Sequence, residues 1–314
     1  MGLDIVFVVG GLLLLFFGGE FLVRGSVAIA DRFGISKLIV GMVIIGFGTS
    51  APELLVSVQA ALAGSPDIAV GNVVGSNISN ILLIVAVAAL VAPIANDDKA
   101  IRRDAGAVVV FSIATVLVFM LGEIGRVVGI AMVALLFAYL GTTYVVERRR
   151  QVSAFTHEAD EARDIPMKAP LAAVITLAGL ALLVVGARLM VDGATGIARA
   201  FGISEAVIGL TVVAVGTSLP ELATAVVAAM RKHSDVVLAN VAGSNIFNLL
   251  CILGITAIIT PVPVAPRFAT MDGPLMIVVA MVLLGLLFAF RVIGRGVGAA
   301  LLAAYGGYIA LQAI

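Results

Sequence analysis

Gly48-Thr49-Ser50-Ala51-Pro52-Glu53-Leu54 recurs 168 residues later as Gly216-Thr217-Ser218-Leu219-Pro220-Glu221-Leu222. The same offset carries Gly34-Ile35-Ser36 onto Gly202-Ile203-Ser204. It also carries Asn72-Val73-Val74-Gly75-Ser76-Asn77-Ile78-Ser79-Asn80 onto Asn240-Val241-Ala242-Gly243-Ser244-Asn245-Ile246-Phe247-Asn248. Isolated identities at Gly41/Gly209, Val58/Val226 and Asp67/Asp235 fall between these blocks, with no insertion. Low-complexity coincidence does not reproduce Pro-Glu and Asn-Ser-Asn at identical spacing. The chain therefore reads as two related halves.

The surrounding composition is that of a chain solvated by lipid. Of 314 residues, 62% are hydrophobic and 12% charged, whereas a soluble domain carries about 25% charged residues. That excludes a cytosolic enzyme. Ten apolar stretches reach the roughly 20 residues that cross a bilayer as helix: 3–30, 36–63, 68–92, 104–121, 125–146, 168–199, 204–230, 236–260, 271–290 and 294–313. None alternates as the strands of a membrane barrel do. The first lacks a basic leader and is long for a cleaved signal, so it reads as a retained helix. The expected fold is an all-α integral membrane protein with ten transmembrane helices, divided into 1–146, a cytoplasmic linker loop at 147–167, and 168–314.

Five spans per half is an odd number, so the second copy enters the membrane from the opposite side. Two inverted five-helix repeats are the architecture of secondary transporters that bind their cargo near the midplane, where the repeats meet. Basic residues give the orientation. Fourteen of the 19 Lys and Arg lie in alternate loops on one side, and only Arg126, Arg199 and Arg267 on the other. The positive-inside rule then places both termini outside a cytoplasmic membrane. Zero net charge, with no block of five or more like charges, excludes a nucleic-acid partner, and no protein partner is evident. The single Cys251 forms no intrachain disulfide and is expected to fill core. His157 and His233 fall in loops.

Six charged residues lie well inside spans: Glu20, Arg24, Glu53, Arg188, Asp192 and Glu221. An ionisable group at bilayer depth costs from about 2.5 to more than 10 kcal/mol, so each needs a reason. Glu20/Arg24 and Arg188/Asp192 have opposite charge at i,i+4 near span ends and are expected to pair with themselves or snorkel. Glu53 and Glu221 have no basic neighbour in sequence and sit near mid-span. Pro52 and Pro220 offer no donor to the carbonyls of Gly48 and Gly216. Backbone oxygens around 46–49 and 214–217 are thereby freed, which at membrane depth is tolerated where they line a cavity or bind something.

Thr49, Ser50, Thr217 and Ser218 add hydroxyls. Asn72, Ser76 and Asn80, and again Asn240, Ser244 and Asn248, follow one helical face at i, i+4, i+8. Asn72, Asn240, Asn77 and Asn245 are expected mainly to brace helices. Every group gathered here is an oxygen donor, which suits calcium with its 6–8 oxygen ligands and sodium of similar size, and disfavours zinc and copper. No span contains His, and Asp192 is the only aspartate well inside one, so the machinery of an intramembrane hydrolase is missing and no enzyme is expected.

At the paired Gly-Thr-Ser-x-Pro-Glu and Gly-Ser-Asn-Ile-x-Asn segments the chain resembles the sodium/calcium exchanger family of the cation/calcium antiporter superfamily, over nearly its whole length. The resemblance implies sodium-for-calcium exchange by alternating access, with the transported ions and no cofactor. It implies ion coordination by Thr49, Ser50, Glu53, Ser76 and Asn80, by Thr217, Ser218, Glu221, Ser244 and Asn248, and by the carbonyls of Gly46 and Ala214. Asn248 stands where potassium-dependent members carry Asp, which leaves two carboxylates and argues against potassium coupling. The glycine-rich first and sixth spans are the expected sliding elements. Proton-coupled calcium exchange is the alternative, because a buried carboxylate can carry protons.

Overall fold

The computed structural model describes residues 2–35, 37–96, 99–155, 167–202 and 214–312, almost all of them helical. Six helices among the described residues are long and apolar enough to cross a membrane: Gly2–Phe33, Pro66–Val91, Arg126–Arg148, Ala169–Ala200, Ser234–Ile259 and Phe268–Ala289. Gly41–Thr49 and Ala51–Leu62, bent by 45°, add a seventh as one broken span. Three of the expected spans fall short of this. Lys99–Phe119 opens on Lys99, Arg102, Arg103 and Asp104, Arg295–Gln312 is diluted by Arg295, Tyr305, Tyr308 and Gln312, and Leu219–Met230 is a 12-residue piece. The start of the expected seventh span, 204–213, lies outside the described residues, as do His157 and most of the linker. The linker's beginning is not a loop: the helix Arg126–Phe155 runs past residue 147 without interruption.

Burial sorts the helices. The apolar window of Ser234–Ile259 is 100% buried and that of Pro66–Val91 78%, against 28% for Gly2–Phe33 and Ala169–Ala200. The two Asn-Ser-Asn helices therefore form the centre, and Gly2–Phe33 and Ala169–Ala200 lie at the edge. Their outward faces are large and apolar, with Leu3, Val6, Leu13, Leu171, Val174 and Leu177 exposed. A water-soluble protein would not leave such a surface uncovered.

Contacts between the halves recur at the sequence offset. The short strand Ile94–Ala95 pairs antiparallel with Val292–Ile293, and Glu123–Ile124 with Val262–Pro263. A shift of 168 moves Ile94–Ala95 onto Val262–Pro263 and brings Glu123–Ile124 to within one residue of Val292–Ile293. The edge helices repeat the pattern. A Cβ on Gly18 would lie 3.0 Å from the Gly179 carbonyl, and one on Gly11 would lie 2.7 Å from the Gly186 carbonyl. Gly11 and Gly18 shifted by 168 are Gly179 and Gly186. Backbones meet there because small residues allow it, the usual basis of helix association in lipid.

Charges at the helix ends find partners. Arg103 donates to Asp104 at 2.7 Å and to Glu147 at 3.0 Å, while Tyr139 donates to Asp104 at 2.7 Å. At the offset position, Asp272 accepts from Arg267 at 2.7 Å and from Gln312 at 3.1 Å. Glu20 does not pair with Arg24 as its spacing suggested: its carboxylate holds Arg231. Arg231 follows the helix Leu219–Met230 directly, and tertiary packing brings it closer than the local neighbour. Cys251 is buried as a core side chain.

Candidate ion-binding site

The two Pro-Glu segments fold alike. The helix breaks at Ser50, with φ −84° and ψ 5°, and at Ser218, with φ −86° and ψ 5°. New helices start at Ala51 and Leu219 with the proline in the first turn, where its missing N–H is no loss. Glu53 and Glu221 thus occupy first turns, where the helix macrodipole favours a carboxylate. The break lies two residues before each proline, and the freed-carbonyl expectation needs correction at Gly46. Its oxygen accepts from Ser50 N at 3.2 Å, Ser244 Oγ at 3.3 Å and Thr49 Oγ1 at 3.4 Å.

The central helices also change geometry at the site. A π-helical turn opens at Asn80, over Asn80–Val85, and at Asn248, over Asn248–Ile252. A third spans Gly41–Gly46. Such turns widen the helix and re-aim the side chains that start them, and they concentrate at functional sites.

Hydrogen bonds among the described residues join the halves here. Ser50 Oγ donates to Glu221 Oε1 at 2.9 Å, and Asn80 Nδ2 to Asn245 Oδ1 at 3.0 Å. Ser244 Oγ donates to the Gly46 carbonyl, and the hydroxyls of Ser79 and Ser218 lie 3.5 Å apart. Thr49, Ser50, Glu53, Ser76, Asn80, Ser218, Glu221, Ser244 and Asn248 are all buried. Ser76 lies one turn before Asn80. Ala214 and the partly buried Thr217 bound the short helix Ala214–Thr217, next to Ser218.

The chemistry is in what stays unbonded. Among the described residues, Glu53 Oε2, Glu221 Oε2, Asn80 Oδ1 and Asn248 Oδ1 are buried with no hydrogen-bond partner. A buried polar atom ordinarily has one, and a buried charge is paired or coordinates a metal. Two carboxylates and two amide oxygens in this condition have the donor chemistry that suits a hard cation.

Supporting residues surround them. Asn72 Nδ2 donates to the Glu53 carbonyl at 3.1 Å and to Ser57 Oγ at 2.9 Å, and Asn77 donates to the Val73 carbonyl at 2.7 Å. Ser79 was not foreseen. Its offset partner is Phe247, so the repeat gives no signal there, and only its place three residues after Ser76 points to it.

The model of the family described as "Sodium/calcium exchanger protein" matches residues 3–145 and 171–314. The chain belongs to the sodium/calcium exchanger family. Each match covers one half of this multi-pass membrane exchanger. The chain is 36% identical over 307 residues to the inner membrane protein YrbG of Escherichia coli (strain K12), covering 95% of this chain and 92% of that one. It is 31% identical to the sodium/calcium exchanger MaX1 of Methanosarcina acetivorans, covering 87% and 88% respectively. The solved structure of the sodium-calcium exchanger NCX_Mj, soaked with zero Na+ and Ca2+, superposes with a TM-score of 0.85 at 31% identity over 99% of both chains.

Proposed function

We propose that this family member is a secondary antiporter that exchanges sodium for calcium by alternating access at one shared oxygen site. The observation that carries the reading is the set of four buried, unpartnered oxygens on Glu53, Glu221, Asn80 and Asn248, contributed equally by both halves. Around them we place Thr49, Ser50, Ser76, Thr217, Ser218 and Ser244, with the carbonyl of Ala214 and that of Gly46, which would exchange a hydroxyl donor for the ion. Two carboxylates neutralise one calcium. Sodium needs several ions to do the same and recruits the peripheral hydroxyls and carbonyls. The two loads compete for the same oxygens, and the competition couples the two gradients.

Ten crossings, arranged as inverted repeats over 1–146 and 168–314, complete the proposal. The strand pairs and glycine contacts that map onto one another at 168 residues support it, as do the two separate family matches. The loop charges support a cytoplasmic linker and external termini. The relatives named as sodium/calcium exchangers support the choice of ions.

The test is calcium uptake into vesicles under an outward sodium gradient. Uptake is expected in the native protein and lost in Glu53→Gln and in Glu221→Gln. Unchanged uptake in both variants overturns the site. Calcium flux driven by a pH gradient without sodium assigns the coupling to protons instead.

A further inference from the structure

A side-chain amide has two ends of nearly the same shape and opposite chemistry. The oxygen accepts and the nitrogen carries two donors, and a hard cation takes only the oxygen. At Asn80 the wrong end would have an attraction of its own wherever it met a carboxylate, because an NH₂ group donates to one. Something must hold the nitrogen away. Asn245 does this: its Oδ1 accepts from Asn80 Nδ2 at 3.0 Å. Asn80 is 2% exposed and Asn245 0%, so water does not compete for the bond. With its nitrogen engaged, Asn80 leaves Oδ1 without a partner.

We infer that Asn245 is a positioning residue for cation binding: it fixes which end of the Asn80 amide faces the ion. The inference rests on the ion-site reading above and deepens it, by giving Asn245 a role in selecting cation over empty site rather than in bracing a helix.

Two features sharpen the assignment. Asn245 Nδ2 has no hydrogen-bond partner among the described residues, so truncating this side chain breaks one defined bond. The device is also one-sided. The offset counterpart Asn77 spends its nitrogen on the Val73 carbonyl of its own helix, and its Oδ1 is left without a partner. The orienting contact therefore crosses from the second half to the first and ties the Asn80 oxygen to the position of the opposite helix. Next to Asn245, Ser244 is bonded to the Gly46 carbonyl of the first half, which holds that helix in register.

The experiment is a double-mutant cycle on the full chain in detergent. Its readout is the free calcium giving half of the calcium-induced rise in melting temperature, and sodium-driven calcium uptake is measured in parallel. Asn245→Ala is expected to weaken calcium about tenfold to a hundredfold, the usual effect of removing an outer partner of a metal ligand. Asn245→Asp keeps the accepting oxygen and is expected to bind calcium at least as well as native protein. Asn80→Asp presents oxygen at both ends and needs no orienting. In that background Asn245→Ala is expected to change affinity by no more than about twofold, the scatter of independent sites.

The inference is overturned if Asn245→Ala binds calcium within about twofold of native, or if its cost is undiminished in the Asn80→Asp background, which marks a purely structural role. Asn80→Ala separates the two levels. If it leaves calcium binding unchanged, the ion-site reading itself fails; if it weakens binding while Asn245→Ala does not, only the positioning role fails. Melting without calcium reports whether each variant folds, and Asn245→Leu, of similar size but without the accepting oxygen, carries the test should the truncation not fold and is expected to weaken calcium as the truncation does.

Discussion

Ser50 joins the two carboxylate-bearing segments through a single proton. A hydroxyl has one donor and two acceptor lone pairs; the donor goes to Glu221 Oε1 at 2.9 Å, which leaves the lone pairs for a cation. Removing the hydroxyl takes away both a proposed ligand and the tether of Glu221. Ser50→Ala is accordingly expected to raise the calcium concentration needed for half-maximal thermal stabilisation by about 10- to 100-fold, and Ser50→Thr to recover most of the loss. An unaltered calcium midpoint in Ser50→Ala removes Ser50 from the site. For Glu53 and Glu221 the expectation is stronger. Calcium at 100 times its Kd stabilises a native protein by about 2.7 kcal/mol, and Glu53→Gln or Glu221→Gln should abolish the corresponding rise in melting temperature. A rise of native size in either variant would show that calcium binds elsewhere.

The central helices work by close approach as much as by their oxygens. A Cβ on Gly243 would come within 2.7 Å of the Met42 carbonyl, in backbone from the other half. Gly243→Ala is therefore expected to destabilise by about 1–3 kcal/mol, as overpacking does, and to displace Ser244 from Gly46, lowering both melting temperature and uptake. Gly285→Ala, where the added methyl meets open space, is the control that should melt as native; equal melting of the two variants refutes the packing argument. Much at this scale was legible beforehand. The repeat marked both broken helices and both Asn-Ser-Asn faces, because oxygen-bearing side chains on a shared spacing leave a strong pattern in an apolar background. The π-helical turns at Asn80 and Asn248 were not legible, since no residue preference encodes them. Pro52 and Pro220 pointed to a break but misplaced it: the chain turns at Ser50 and Ser218, and the prolines sit where a helix start accepts them. Glu20 was misread because its partner Arg231 is 211 residues away, beyond any local spacing rule.

Across the whole molecule, that same pair breaks the symmetry of the halves. Glu20 lies on the edge helix Gly2–Phe33, which packs against Ala169–Ala200, and Arg231 follows the site helix Leu219–Met230. At the offset positions stand Arg188 and Ala63, which can form no such pair. If the edge helices slide past the site helices to switch access, the Glu20–Arg231 contact belongs to one access state, and nothing equivalent supports the other. A partly exposed pair contributes about 0–1 kcal/mol, which biases a two-state equilibrium by up to about fivefold. Apparent affinity scales with the fraction of protein in the competent state. Glu20→Gln and Arg231→Gln should therefore change the ratio of calcium affinities measured from the two sides of the membrane, in the same direction and by up to about that factor. The exchanged pair Glu20→Arg with Arg231→Glu should restore the ratio. High salt should mimic the single variants, because a contact open to solvent is screened. A ratio that stays at its native value in both single variants separates this ion pair from the access equilibrium and leaves it a surface contact.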